Sequence, residues 1–307
     1  MLRTVADWIV YCVVRIAVCV AQVLTPETCQ VIASFAGWFI EKYVPVRRKV
    51  IDENLAAAFP EWTPEQRRRA VQGLWQHLVL MFFEIAQAPH RLRLGNWRQY
   101  VEVEDLRVVV EFLLARRPRL LVSGHFGNFE VGGYLIGLLG IPTYSVAQPI
   151  NNRWLDRYIN YFRSLHGQRI LPKVGSALSI DNVLRNGNIL SVLGDQHAGP
   201  RGCWVEFFGR PASAHKSLAI LCMSHQAVMA VMTARRTGGF LRYRVSVVDE
   251  IDACALAPPE RDVAGLTHRY HKSLELAIRL APEQYWWLHR RWKGTPPARR
   301  KAANKAA

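Results

Sequence analysis

Leu120-Leu121-Val122-Ser123-Gly124-His125-Phe126-Gly127-Asn128-Phe129-Glu130 is the stretch on which the fold turns. Its first four residues form a short apolar run bounded by Pro118 and Gly124, as a strand buried on both faces of a parallel sheet would. Residues 129–139 supply a helix directly after it. Downstream, further strand-like runs at 143–147, 189–193, 227–234 and 241–248 alternate with helical patterns at 153–166, 176–186 and 213–226. That alternation predicts an α/β fold with helices flanking a mostly parallel sheet. Arg235-Arg236-Thr237-Gly238-Gly239 reads as a hairpin turn joining the last two strands, so the sheet is expected to be mixed.

Upstream, Thr63-Pro64-Glu65-Gln66 is a helix start, and Leu74, Leu78, Met81 and Ile85 recur at helical spacing, predicting a helix over 63–90 that Pro89 ends. Residues 100–104 alternate like a half-buried strand, and 105–116 is helical. From 8 to 24 the chain is nearly all apolar but broken by Arg15, which makes it short and interrupted for a spanning helix of about 20 residues. Asp7, Tyr11, Arg15 and Gln22 fall on one stripe of a helix whose remaining surface is greasy, as in a helix lying in a membrane interface. Two alternatives stand beside the anchor: a signal peptide, disfavoured by Asp7 and the lack of a small-x-small cleavage site, and a buried helix pair separated by Thr25-Pro26-Glu27. The expected organisation is an anchoring segment over 1–45, one catalytic domain over 46–294 and a basic disordered tail over 295–307.

Forty Lys and Arg against twenty-four Asp and Glu give a formal charge of +16, which points to an anionic partner such as lipid headgroups, an acidic carrier protein or nucleic acid. The six cysteines contain no Cys-x-x-Cys pair and read as buried thiols facing a reducing compartment; neither a metal nor a cofactor is expected.

The chemistry concentrates at His125, set where a strand passes into a helix and two glycines give a substrate room. An imidazole can take a proton from a hydroxyl near neutral pH, and a carboxylate on its other nitrogen would fix the tautomer. Glu130 is expected to be that carboxylate, with His125 in the turn and Glu130 in the first helical turn. The spacing alone is weak, since ten histidines in a chain with 24 acidic residues among 307 give about 0.8 such pairs by composition.

Context carries the weight. Ser-Gly-His-Phe-Gly-Asn-Phe-Glu after a strand resembles the late acyltransferases of lipid A biosynthesis, within the wider His-x4-Asp/Glu glycerolipid acyltransferase group. The resemblance extends in order through Asn54-Leu55-Ala56-Ala57-Ala58-Phe59-Pro60-Glu61, Gln148-Pro149 with Asn151-Asn152, Arg163 with Gly167, Gly194-Asp195-Gln196, Phe207-Phe208-Gly209-Arg210-Pro211-Ala212 and Tyr285-Trp286-Trp287-Leu288-His289-Arg290-Arg291-Trp292-Lys293. It implies an acyl carrier protein thioester as donor, a lipid A precursor as acceptor, a bacterial inner membrane location facing the cytoplasm, His125 as general base and Glu130 as its partner. It also implies Arg163 and Asp195 as members of the site, with Gln148 and Asn128 on the substrate side. On physical grounds Arg163 suits a phosphate or carbonyl oxygen, and backbone N–H groups around Gly127 and Asn128 suit the oxyanion. Asp195 is expected to position Arg163 or a sugar hydroxyl.

Ser123 lacks a nucleophile elbow and is not expected to be acylated. His197, His215, His225 and His289 read as packing or surface residues. Arg290, Arg291 and Lys293 beside Trp286, Trp287 and Trp292 read either as an interfacial belt or as a packed C-terminal helix. Two other functions compete: acylation of another glycolipid or phospholipid, and nucleic-acid binding, to which the charge and interleaved aromatics also point but for which no binding motif is present.

Overall fold

The computed structural model describes residues 2–296 apart from residue 259; the tail expected to be disordered falls mostly outside them. Two apolar helices lead, α1 (Leu2–Val23) and α2 (Pro26–Tyr43), separated because Thr25 caps α2, accepting the Thr28 N–H at 3.2 Å, with Pro26 in the first turn. Helix α1 begins six residues before the expected apolar run and has 22 residues, about 33 Å of rise, which removes the length objection to a membrane span. Thr4–Val23 is long and apolar enough to cross a bilayer, and 11% of that stretch is buried.

Next come α3 (Arg48–Ala58) and α4 (Pro64–Arg91), the latter opened by a reciprocal capping box in which Gln66 N–H donates to Thr63 Oγ1 and Thr63 N–H to Gln66 Oε1. Pro89 does not end α4 as expected. Its ring removes one donor in the last turn, yet the helix runs two residues on and the Leu92 N–H still reaches Ala88 O at 2.8 Å.

The α/β region follows as β1 (Val101–Val103), α5 (Leu106–Leu114), β2 (Arg119–Ser123), α6 (Phe129–Leu138), β3 (Thr143–Ala147), α7 (Arg153–Ser164), β4 (Gln168–Pro172), α8 (Ala177–Arg185), β5 (Ile189–Leu193), β6 (Cys203–Phe207), β7 (Arg210–Ala214), α9 (Ser217–Ser224), β8 (Val228–Arg236), β9 (Tyr243–Asp252) and α10 (Val263–Leu280). Seven strands form one sheet in the order β1-β9-β8-β2-β5-β3-β4, parallel throughout except for the β8–β9 hairpin. The mixed α/β architecture is the expected one. Strand β2 lies at its centre, with Leu120 and Val122 packed among Leu218, Leu266 and Tyr270 on one face and Leu121 against Val131 and Leu135 on the other.

Several elements depart from expectation, β6 among them, where no strand was anticipated. Residues 213 and 214 do not start the helix expected over 213–226: they close β7, which pairs antiparallel with β6 through a two-residue turn at Phe208 and Gly209, both at positive φ. That turn lets Phe207 pair with Arg210, and α9 starts only at Ser217. Strand β4 is also unanticipated; it is an edge strand of mixed polarity with no alternating pattern to betray it.

The polar stripe of α1 was expected to face the membrane interface. It faces protein instead. Asn152 Nδ2 donates to Asp7 O at 2.6 Å, the Tyr11 ring lies 6.2 Å from that of Trp154, the Arg15 guanidinium sits 4.5 Å from the Tyr158 ring centre, and Gln22 donates to Ala86 O. With the stripe docked on α7 and α4, Val13, Ile16 and Val20 remain exposed, so α1 is not half of a buried pair. Helix α2, by contrast, buries Cys29, Ala33 and Gly37 while exposing Val31, Phe35 and Phe39.

Candidate active site

The register of β2 and β5 creates the site. Ser123 pairs with Leu193 at the carboxyl end of both strands, and the Gly194 N–H donates to Ser123 O at 2.8 Å, so the residues that follow emerge side by side. Those residues are Gly124-His125 and Gly194-Asp195. Gly124 leaves room for the approach: a Cβ there would stand 3.3 Å from Asp195 Oδ2. One carboxylate then holds His125 at two points, Oδ2 accepting its backbone N–H at 2.8 Å and Oδ1 accepting from ring Nδ1 at 2.7 Å. Because a carboxylate can only accept, Nδ1 carries the proton and the Nε2 lone pair is the basic end. The Gln196 amide lies 3.3 Å from Nε2, the Phe129 ring packs edge-on at 5.2 Å, and the imidazole keeps 19% of its side-chain surface open.

Burial opposes a charge on His125, but attraction and a hydrogen bond from Asp195, with a smaller contribution from Glu130, outweigh it and raise the ring's pKa above its ordinary value. Burial likewise pushes the Asp195 carboxyl up; the facing imidazole, its ring and backbone donors, and Arg291 pull it down to about 2.

The expected partners are therefore exchanged. Glu130 is not the residue bonded to the His125 ring. In the first turn of α6 its carboxylate points to α7, where Arg163 meets it bidentately, Nε donating to Oε2 at 3.0 Å and the second nitrogen to Oε1. Asp195 does not position Arg163. It takes the place on His125 because strand register, rather than distance along the chain, decides which carboxylate reaches the ring.

The Gly127 and Asn128 N–H groups, expected to face an oxyanion, are both occupied: Gly127 donates to Gln284 O at 3.0 Å and Asn128 to Ala234 O at 2.9 Å. Gly127 is held so close to β8 that a Cβ would lie 2.1 Å from Ala234 O, and its φ of +61° is itself a glycine conformation. The Asn128 side chain is fully buried and turned from any substrate. Its Oδ1 caps α6 by accepting the Val131 N–H, and Nδ2 donates to Tyr243 at 2.9 Å and Glu84 at 3.3 Å. Among the described residues, the Phe129 and Glu130 N–H groups at the start of α6 have no protein acceptor. Gln148 lies on the loop after β3, in a cavity that Arg163 also lines.

Beneath Asn128 lies a buried polar network that no sequence pattern announced. Glu84 on α4 accepts from Arg236 Nε at 3.0 Å, from the Leu241 N–H at 2.9 Å and from the Tyr243 hydroxyl. Arg236 also donates to His77 Nδ1 at 2.5 Å, which leaves His77 Nε2 to donate to Gly127 O. Burial first, then the neighbouring guanidinium, lowers the His77 pKa to about 3.

The C-terminal segment is neither a uniform belt nor a helix. After a 3-10 turn at Pro282–Gln284 it pairs with the loop after β2, Trp286 N–H donating to His125 O at 2.9 Å. Trp287 and Arg291 are each 1% exposed, whereas Trp286 and Arg290 lie at the surface. Arg291 donates to Ser213 O and to His271 Nε2, which fixes His271 neutral with Nδ1–H on Thr267 O, and among the described residues its own Nε has no acceptor. Asn54 ties this segment to α3 by donating to Trp287 O and His289 O. Ser123 is buried, and its hydroxyl turns to the neighbouring Gly124 carbonyl.

Fold and site together define an α/β protein that presents an oriented imidazole at the carboxyl edge of a mostly parallel sheet, beside a carboxylate–guanidinium pair and a lipid-compatible helix. The family model for bacterial lipid A biosynthesis acyltransferases matches residues 1–294, and the chain belongs to that family; it is an O-acyltransferase. Among its relatives are the lipid A biosynthesis lauroyltransferase of Escherichia coli, 25% identical over 83% of this chain and 82% of the relative, and the palmitoleoyltransferase of the same species, 23% identical over 85% and 83%. A lipid A biosynthesis acyltransferase of Haemophilus influenzae is 26% identical over 85% and 82%.

Proposed function

We propose that the protein transfers a fatty acyl chain from an acyl carrier protein thioester to a hydroxyl of a lipid A precursor at the cytoplasmic face of the bacterial inner membrane, with His125 as general base. The observation that carries this reading is the His125–Asp195 pair, which leaves Nε2 as the unprotonated acceptor of an imidazole with 19% of its side-chain surface open. The acceptor O–H gives its proton to Nε2 as its oxygen attacks the thioester carbonyl. The tetrahedral intermediate then collapses, forming the ester and breaking the C–S bond, and the leaving thiolate takes the proton from Nε2. Asp195 holds the tautomer and stabilises the imidazolium. The first-turn N–H groups of α6 at Phe129 and Glu130, with the positive end of that helix, are the donors left for the oxyanion. Arg163, steadied by Glu130, sits where it can hold the acceptor, and Gln148 stands on the same side.

The net charge of +16 suits an acidic carrier and an anionic lipid, and the outward apolar face of α1 suits a hydrocarbon phase. An anchoring segment over residues 1–45, a catalytic domain over 46–294 and a short basic tail form the corresponding organisation. The test is mass spectrometry of a lipid A precursor incubated with purified protein and carrier thioesters of several chain lengths, beside His125→Ala. An added acyl mass with the wild type alone is expected; no added mass with any donor would rule this acceptor out.

A further inference from the structure

Helix α7 does two jobs at once. One side receives the polar stripe of α1, through Trp154 and Tyr158, and so lies next to whatever α1 is embedded in. Its other side, together with the carboxyl end of β3 and much of the length of β4, lines a cavity of about 620 Å³. Ligand sites of open α/β sheets lie at the carboxyl ends of the strands, so the position is suitable for a substrate. Arg157, Arg163 and Arg169 converge on this cavity, with Gln148 and Gln168 beside them and Asp156 as the one carboxylate in the lining. That carboxylate is engaged, accepting the Ile150 N–H at 2.9 Å and the Asn160 amide at 3.1 Å. Arg163 is paired with Glu130, but among the described residues neither Arg157 nor Arg169 forms an ion pair, and Arg169 donates only to the Tyr144 hydroxyl at 2.8 Å.

We infer that this cavity is the subsite for an oxyanionic headgroup, a phosphate monoester on the sugar of the acceptor lipid, with Arg157 and Arg169 as its ligands and Arg163 linking it to the reacting hydroxyl. The inference rests on the acyl-transfer reading above. Two guanidinium forks without a carboxylate partner among the described residues match the planar, multi-acceptor geometry of phosphate. The donor thioester can also carry a phosphate on its prosthetic arm. The acceptor is the better occupant because the cavity shares α7 with the lipid-facing helix, and a membrane-held lipid presents its headgroup at that depth. Arg163 then acts at both ends: its carboxylate partner Glu130 lies close enough to His125 to act on the ring's charge, and its guanidinium lines the cavity.

The test uses the full chain in detergent micelles, a phosphorylated lipid A precursor and the same lipid after phosphatase treatment, with Arg157→Gln, Arg169→Gln and the double variant. The wild type is expected to prefer the phosphorylated acceptor by about 10-fold or more in kcat/KM, as expected for one charge-assisted contact. The double variant should lose that preference through a raised acceptor KM, with kcat and the thioester KM unchanged. Calorimetric binding of both lipids to the same variants reads the subsite without turnover. If the wild type binds the phosphorylated lipid more tightly and the double variant does not, yet nothing is acylated, the subsite stands and the reaction assignment fails. Equal use and equal binding of the two lipids by the wild type, or a rise in the thioester KM instead, would overturn the subsite.

Discussion

At the residue scale the site rests on which nitrogen of His125 is protonated. Replacing His125 by Ala should cut acyl transfer by about 10²–10⁴-fold with the circular dichroism spectrum unchanged. Asp195→Asn should also lower the rate by roughly 10²–10⁴-fold, since an amide no longer enforces the Nδ1–H tautomer or stabilises the imidazolium. The pH profile separates the two effects. His125 must be neutral to accept a proton, and its pKa is raised, so kcat/KM should fall as pH drops through a value above 6.5. In Asp195→Asn that acidic limb should move to lower pH on the residual rate; an unmoved limb would show that another group titrates. Glu130→Gln should leave the limb nearly in place, because Asp195 is the stronger influence on the ring.

At the scale of elements, two contacts make distinct claims. The β2–α6 junction is pinned to β8 through Gly127, and Gly127→Ala would put a methyl group against Ala234 O in a positive-φ conformation. That variant should lose about 3 kcal/mol or more, read as a fall in the urea midpoint, with activity lost because His125 is displaced. Helix α1 turns its polar stripe inward and its apolar surface out, so Ile16→Asp with Val20→Asp should abolish flotation with lipid vesicles. Charges at such depth cost about 2.5–3.5 kcal/mol each, and both side chains are exposed, so catalysis on micellar substrate should persist.

For the whole molecule, buried polar groups couple stability to pH. His77 and His271 are each held neutral in the fold, with pKa values lowered to about 3 by burial and then by Arg236 and Arg291 respectively. Between pH 6.5 and about 3 the unfolded chain therefore binds more protons at these positions, and stability falls as pH falls. Each should contribute a slope of about 1.4 kcal/mol per pH unit below 6.5. His125 works in the opposite sense: its pKa is raised, so its contribution is full below 6.5 and lost as pH rises through the folded value. Asp195 contributes above pH 3.8 and loses that contribution as pH drops toward about 2. Urea unfolding at pH 7 and pH 5 should show the acid side weaker, and His77→Gln should flatten the difference; an unchanged difference would mean that His77 is solvated in the fold. Removing one side of the Glu84–Arg236 pair, as in Arg236→Met, should cost about 3–5 kcal/mol by stranding a buried carboxylate beneath Asn128.

The sequence by itself determined the alternating α/β order, the central strand at 120–123, the capped α4 helix, the mixed hairpin and the family, and it singled out His125, Glu130, Arg163 and Asp195, which the fold joins in two pairs. Each of these is written in local periodicity, in capping residues, or in short motifs that keep their order along the chain. Tertiary structure alone decided the pairing inside the site. Asp195 and Glu130 are equally acidic letters, and only the β2–β5 register brings the distant one to the imidazole and leaves the near one to Arg163. The same holds for the amides of Gly127 and Asn128, which β8 and the segment after α10 consume, and for Arg291 and Trp287, which read equally as an interfacial belt or a packed helix until the chain folds over them. Long-range strand register and burial are set by the sum of many contacts, and no window of sequence around His125 contains them.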